Sequence, residues 1–228
     1  METFRGYKQG GSRRGIGHVL ARVASVTVLA AGIMAAPATA RAAGVASGSI
    51  ELMSGHESST LDTKLSVPLA KRASLFFRNR STADYRSGVS PFTLLDLDYN
   101  VTDRFCLVCE TQFTSENKNA YLAGFGYFRK TGDFSLFVAP GVTLTDETTL
   151  TTQIILKYTP PINRTTHLLA RLELFSTEDG VGQLGTISRA RLGVERGGYN
   201  AGFAIDASRF RGTGRTDRNI GVFLQKDF

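Results

Sequence analysis

The chain has 228 residues, 42% of them hydrophobic, with 27 basic against 20 acidic side chains and a formal net charge of +7. Its length suits a single domain or a single barrel. Six basic residues (Arg5, Lys8, Arg13, Arg14, Arg22, Arg41) and one acid (Glu2) fall in residues 1–42, leaving 21 against 19 and a charge of +2, so the basicity that would argue for a nucleic-acid partner belongs to the leader.

Residues 1–42 read as a cleaved signal peptide. Arg13 and Arg14 form a basic n-region, Val23 to Ala40 carry no charge, and Ala38-Thr39-Ala40 is a small-x-small cleavage site, with Ala40-Arg41-Ala42 as a second. The run is rich in Ala and poor in Leu and Phe, which is weakly apolar for a lasting membrane span. Ser12-Arg13-Arg14 hints at a twin-arginine signal, but Gly15-Ile16-Gly17 continues it poorly.

From residue 43 to 228 there is no helical period. Short runs with apolar residues at every second position recur between turn signals, about twelve in all. They span 47–54, 60–67, 73–82, 92–101, 104–114, 120–130, 133–144, 149–159, 165–176, 186–196, 200–209 and 218–228. Most are long enough to cross an apolar slab at a tilt, which takes roughly 9–11 residues. The expected fold is all-β: a single antiparallel up-and-down transmembrane β-barrel of about 12 strands. Cys106 and Cys109, the only cysteines, fall in the fifth run, where positions i and i+3 point to opposite faces and cannot bond. No second Cys or His pair lies nearby to complete a zinc site.

In the ninth run Leu168, Ala170, Leu172 and Leu174 alternate with His167, Arg171 and Glu173; in the tenth Ala190, Leu192 and Val194 alternate with Arg189, Arg191 and Glu195. A soluble β-sandwich or lipocalin-like barrel has the same period with its apolar face inward. Connections near 68–72, 102–103, 131–132, 160–164 and 197–199 are mostly short, and those near 83–91, 115–119, 145–148, 177–185 and 210–217 mostly longer and polar, as in barrels with periplasmic turns and extracellular loops. Tyr99, Phe105, Tyr127, Phe134, Tyr158, Phe203 and Phe228 lie at or near the short-turn end of their runs on the apolar parity, the pattern of an interfacial girdle.

The last run sets Ile220, Val222, Leu224 and Phe228 on one parity and ends on the aromatic; Lys226 is the exception, near the interface where its stem can snorkel. With the leader and the twelve runs, this resembles bacterial outer-membrane proteins as a class, with no particular family matched. The resemblance implies a bacterial outer-membrane location, contact with outer-membrane lipids, and recognition of the Phe228 strand by the barrel-assembly machinery.

With the apolar parity toward lipid, the other parity lines the lumen. Its charged residues are Lys64, Arg78, Arg80, Asp96, Asp98, Arg104, Glu110, Lys157, Arg171, Glu173, Arg189, Arg191 and Asp206, with Glu51, Asp62 and Glu195 beside them. The hairpin through 83–91 is expected to set Arg78 and Arg80 within salt-bridge reach of Asp96 and Asp98. Such a lumen suits a narrow porin-like channel for small polar or charged solutes, in which screened pairs add little and loss of both arginines leaves folding nearly unchanged. The alternative is a structural barrel plugged by desolvated pairs. Barrels similar in strand number include channels for acidic oligosaccharides or nucleosides, outer-membrane lipases and lipid A deacylases. Only His56 and His167 remain outside the leader, and His56 with Ser58 and Glu57 is the one constellation that a lipid hydrolase could use. No catalytic residue, metal ligand or cofactor is assigned.

Overall fold

A computed structural model describes residues 46–114, 119–144, 148–211 and 216–228. The expected signal segment 1–42 and its expected cleavage sites lie outside these residues. The strands are β1 (Ser47–Gly55), β2 (Ser58–Pro68), β3 (Ala73–Asp84), β4 (Gly88–Asn100), β5 (Phe105–Thr114), β6 (Asn119–Thr131), β7 (Phe134–Leu144), β8 (Thr149–Tyr158), β9 (Thr166–Asp179), β10 (Gly182–Arg196), β11 (Tyr199–Phe210) and β12 (Thr216–Asp227). Each pairs with its sequence neighbour, and β1 pairs antiparallel with β12 to close the barrel. Closure removes the sheet edge, so the ladder satisfies backbone N–H and C=O groups without water, as a bilayer demands.

The alternation decides which residues form each wall, and burial decides which wall is inside. Leu52, Leu107, Phe125, Leu192, Phe203, Val222 and Leu224 are each more than half exposed, whereas Glu51, Asp62, Arg78, Arg80, Glu173 and Arg191 are buried. A soluble sandwich or lipocalin-like barrel would show the reverse. The protein is apolar outside and charged inside, as a barrel solvated by lipid must be.

The aromatic girdle forms at one end of the barrel. Phe105 and Tyr127 are cross-strand partners with ring centroids 5.1 Å apart, and Phe134 is the register partner of Tyr158. Lys226, the exception in the last strand, places its ammonium 3.9 Å from the ring centroid of Tyr199 and donates to the Gly197 carbonyl at 3.2 Å. Its charge is thus carried to the rim. The β10–β11 hairpin turns there on Gly197 and Gly198, whose φ angles of 58° and 75° suit glycine in a two-residue turn.

The expected alternation of connection lengths does not hold. Strands β3 and β4 run on to Asp84 and from Gly88, and β9 and β10 run on to Asp179 and from Gly182, consuming most of 83–91 and 177–185. Asp84 Oδ1 accepts from the backbone N–H of Arg86 (2.8 Å) and Ser87 (2.7 Å), and Asp179 Oδ1 accepts from those of Val181 (2.8 Å) and Gly182 (3.0 Å). Each aspartate closes a tight turn in place of an open loop.

The seam between β12 and β1 is tied at both ends. Phe228 and Gly48 exchange backbone hydrogen bonds of 2.9 and 3.0 Å, and a side chain on Gly48 would meet the Phe228 ring. At the opposite rim Asn219 Oδ1 accepts from the N–H groups of Glu57 (3.0 Å) and Ser58 (3.3 Å), while its amide donates to the Ser58 carbonyl (3.0 Å) and hydroxyl (2.9 Å). Removing Phe228 deletes the last rung of the seam. The expected result is intact synthesis with less folded barrel, read as loss of the heat-modifiable band in unboiled SDS gels; an unchanged band would mean that β1 and β12 close without it.

Candidate functional site

Ten charged side chains meet inside the barrel. Arg78 on β3 donates to Asp62 on β2 from Nε at 2.9 Å and through a second guanidinium contact, and it also approaches Glu173 on β9 at 3.5 Å. Strands β3 and β9 are diametrically opposite in the ring of twelve, so this contact crosses the full lumen. Arg80 binds Asp62 at 3.4 Å and also pairs with Asp206 on β11. Glu173 further receives Lys64 (3.1 Å), Arg189 (3.4 Å) and Arg171 (3.6 Å). Glu51 on β1 accepts from Arg171 (2.5 Å) and Arg191 (2.7 Å), and Arg191 reaches Asp206 at 2.6 Å. Six cations thus share four carboxylates.

Next to this network Met53, Leu169, Ala204 and Phe223 form a buried apolar cluster, and the Arg191 guanidinium lies 5.8 Å from the Phe223 ring centroid. Side chains therefore occupy much of the half of the lumen walled by β1–β3 and β9–β12. Glu51, Asp62, Arg78 and Arg191 are each less than 10% exposed, so their charges are desolvated and held by one another. Screened lumen pairs, the sequence expectation for the two arginines, are not what the structure contains.

Nor does the expected arginine–aspartate ladder form. The turn at 85–87 sets Arg78 opposite Leu94 and Arg80 opposite Phe92, while Asp96 and Asp98 face Phe76 and Ser74. The pairing is offset by one inward position from the one that would set Arg78 opposite Asp96, and by two from the one that would join both rungs. Asp96 instead lies directly opposite Glu110 on β5, and Glu110 is hydrogen-bonded by Gln112. Asp96, Asp98 and Glu110 make a carboxylate wall apart from the arginines.

The remaining expected positions are dispersed. Lys157 and Glu195 pair at 3.5 Å, both about one-third exposed. Arg104, expected on the lumen wall, sits exposed in the turn before β5, where its N–H donates to the Thr102 hydroxyl at 3.1 Å. Cys106 and Cys109 are free thiols on opposite faces. His56 Nδ1 accepts from the Ile220 N–H at 3.0 Å, and Ser58 is held by Asn219, so the two residues serve the seam and do not form a nucleophile–base pair.

A closed twelve-strand barrel with an apolar exterior, an interfacial girdle and a charged interior is a transmembrane β-barrel of the bacterial outer-membrane type. No family model matches the chain, and no curated protein does. It is similar in structure to the KdgM porin in complex with disordered oligogalacturonate, with a TM-score of 0.52 and 13% identity over 80% of this chain and 99% of that one. A second structure of the KdgM porin gives 0.50 and 14% over 81% and 99%. The COG4313 outer membrane channel from Pseudomonas putida F1 gives 0.49 and 10% over 84% and 99%. At these identities the first two likenesses show the shared fold.

Proposed function

We propose that the protein is a narrow outer-membrane channel for small polar or charged solutes, its path confined to the half of the lumen walled by β4–β8. One observation carries this reading: among the described residues Asp96 and Asp98 face the lumen, both half-buried and with no ion-pair partner, one Asp96 oxygen lying buried and unbonded, although a network of six cations lies in the same barrel. A dry plug would strand such carboxylates at a high desolvation cost, whereas a hydrated path solvates them and gives them a use. The barrel acts by selective passage and not by catalysis, in keeping with the engagement of His56 and Ser58 in the seam.

The test is planar-bilayer recording of refolded protein in a potassium chloride gradient. Discrete small steps are expected, and Asp96→Asn with Asp98→Asn should move the reversal potential toward chloride. A folded barrel without steps would overturn the channel. It would favour the plugged barrel, a reading supported by the Arg78–Glu173 contact across the lumen. For biogenesis, the outward parity of Ile220, Val222 and Leu224, each more than half exposed, supports recognition of β12 by the barrel-assembly machinery.

A further inference from the structure

Among the six cations of the network, Arg189 is bound least. Among the described residues its one ion pair is the 3.4 Å contact with Glu173, a carboxylate already shared with Lys64, Arg78 and Arg171, while its other register partner, Asp206, is paired with Arg80 and Arg191. Its Nε is buried and has no hydrogen-bond partner. Lys64, Arg78 and Arg171 converge on the same Glu173, so the surplus of two cations in the network falls beside this side chain. A guanidinium in that position has donors to give and a charge to neutralise.

The wall around it is apolar. Ile187 precedes Arg189 on the same face of β10, Phe175 is its register partner on β9, and Ile155 on β8 is the partner of Glu173. All three are half-buried, leaving part of each side chain uncovered by protein. Sites that bind small molecules combine such apolar walls with a few fixed polar groups.

We propose that Arg189, Phe175, Ile187 and Ile155 form a binding site for a small anion with an apolar body, its carboxylate or phosphate on the guanidinium and its body against the three side chains. Water alone would satisfy the guanidinium but not cover the rings and branches. A fully hydrophilic anion would satisfy the charge and gain nothing from the wall. Such a site would hold its anion at equilibrium whether or not solutes pass through the barrel.

The test is calorimetric titration of the refolded barrel with benzoate, using acetate as the charge without the body and benzyl alcohol as the body without the charge. Saturable benzoate binding is expected, at least tenfold tighter than that of either control. Arg189→Gln should weaken it tenfold or more, and Phe175→Ser should weaken it while leaving acetate unchanged. Equal benzoate uptake by the wild type and Arg189→Gln would mark partition into detergent and overturn the site. Should Arg189→Gln fail to fold, Phe175→Ser and Arg189→Lys decide by the same comparison. A barrel that binds benzoate but passes no current retains this site and loses the channel; one that conducts without distinguishing benzoate from acetate loses the site alone.

Discussion

Replacing both Arg78 and Arg80 with alanine is expected to lower the unfolding free energy of the barrel by about 3–5 kcal/mol, the cost of leaving a buried charge unpaired. The group stranded is Asp62, whose ion pairs are with these two arginines and which is only 2% exposed. Glu173 retains Lys64, Arg171 and Arg189, and Asp206 retains Arg191, so neither should dominate the loss. Adding Asp62→Asn to the double variant removes the stranded charge and should recover a large part of the deficit. Urea unfolding of the single, double and triple variants in one detergent reads both effects. A loss below about 1 kcal/mol for the double variant would mean that lumen water screens these ions as it does surface pairs.

Much of this architecture was legible because a lipid-facing wall writes a period of two into the sequence. All twelve strands, the inward parity of Arg78, Glu173 and Arg191, and the girdle around Phe105, Tyr127, Phe134 and Tyr158 follow from that period and from where the rings fall. The period stops where lipid stops. Beyond the apolar slab a strand has no reason to alternate, so the polar ends of β3, β4, β9 and β10 read as loops although Asp84 and Asp179 fold them into tight hairpins.

Register was the second thing the sequence could not show. Parity constrains pairing only to steps of two, and the three-residue turn at 85–87 chose the step that parts Arg78 from Asp96. The network escaped for a related reason. Arg78 and Glu173 are 95 residues and half the barrel circumference apart, and only closure of β1 on β12 brings them together. The surplus of lumen cations over carboxylates on one side was present in the sequence as a list of residues, but its meaning depends on which strands face each other.

The polarity of the barrel can be tested at one residue. Leu95 lies at the middle of β4 on the outward parity, between Phe77 and Thr111, and is 40% exposed. Tyr158 lies in the girdle at the end of β8 with similar exposure, 45%. Leu95→Arg is expected to destabilise the barrel in lipid vesicles by about 2–4 kcal/mol, and Tyr158→Arg by only about 0–1 kcal/mol of charge penalty, because that cost falls from the bilayer midplane to the interface. In a water-soluble barrel both arginines would be tolerated within about 0.5 kcal/mol, as most surface substitutions are. The difference between the two variants, measured in the same vesicles, is therefore the informative quantity. A clear excess for position 95 places it in hydrocarbon; equal small costs would mean that this wall of the barrel is bathed in water and that the charged interior was built for some other reason.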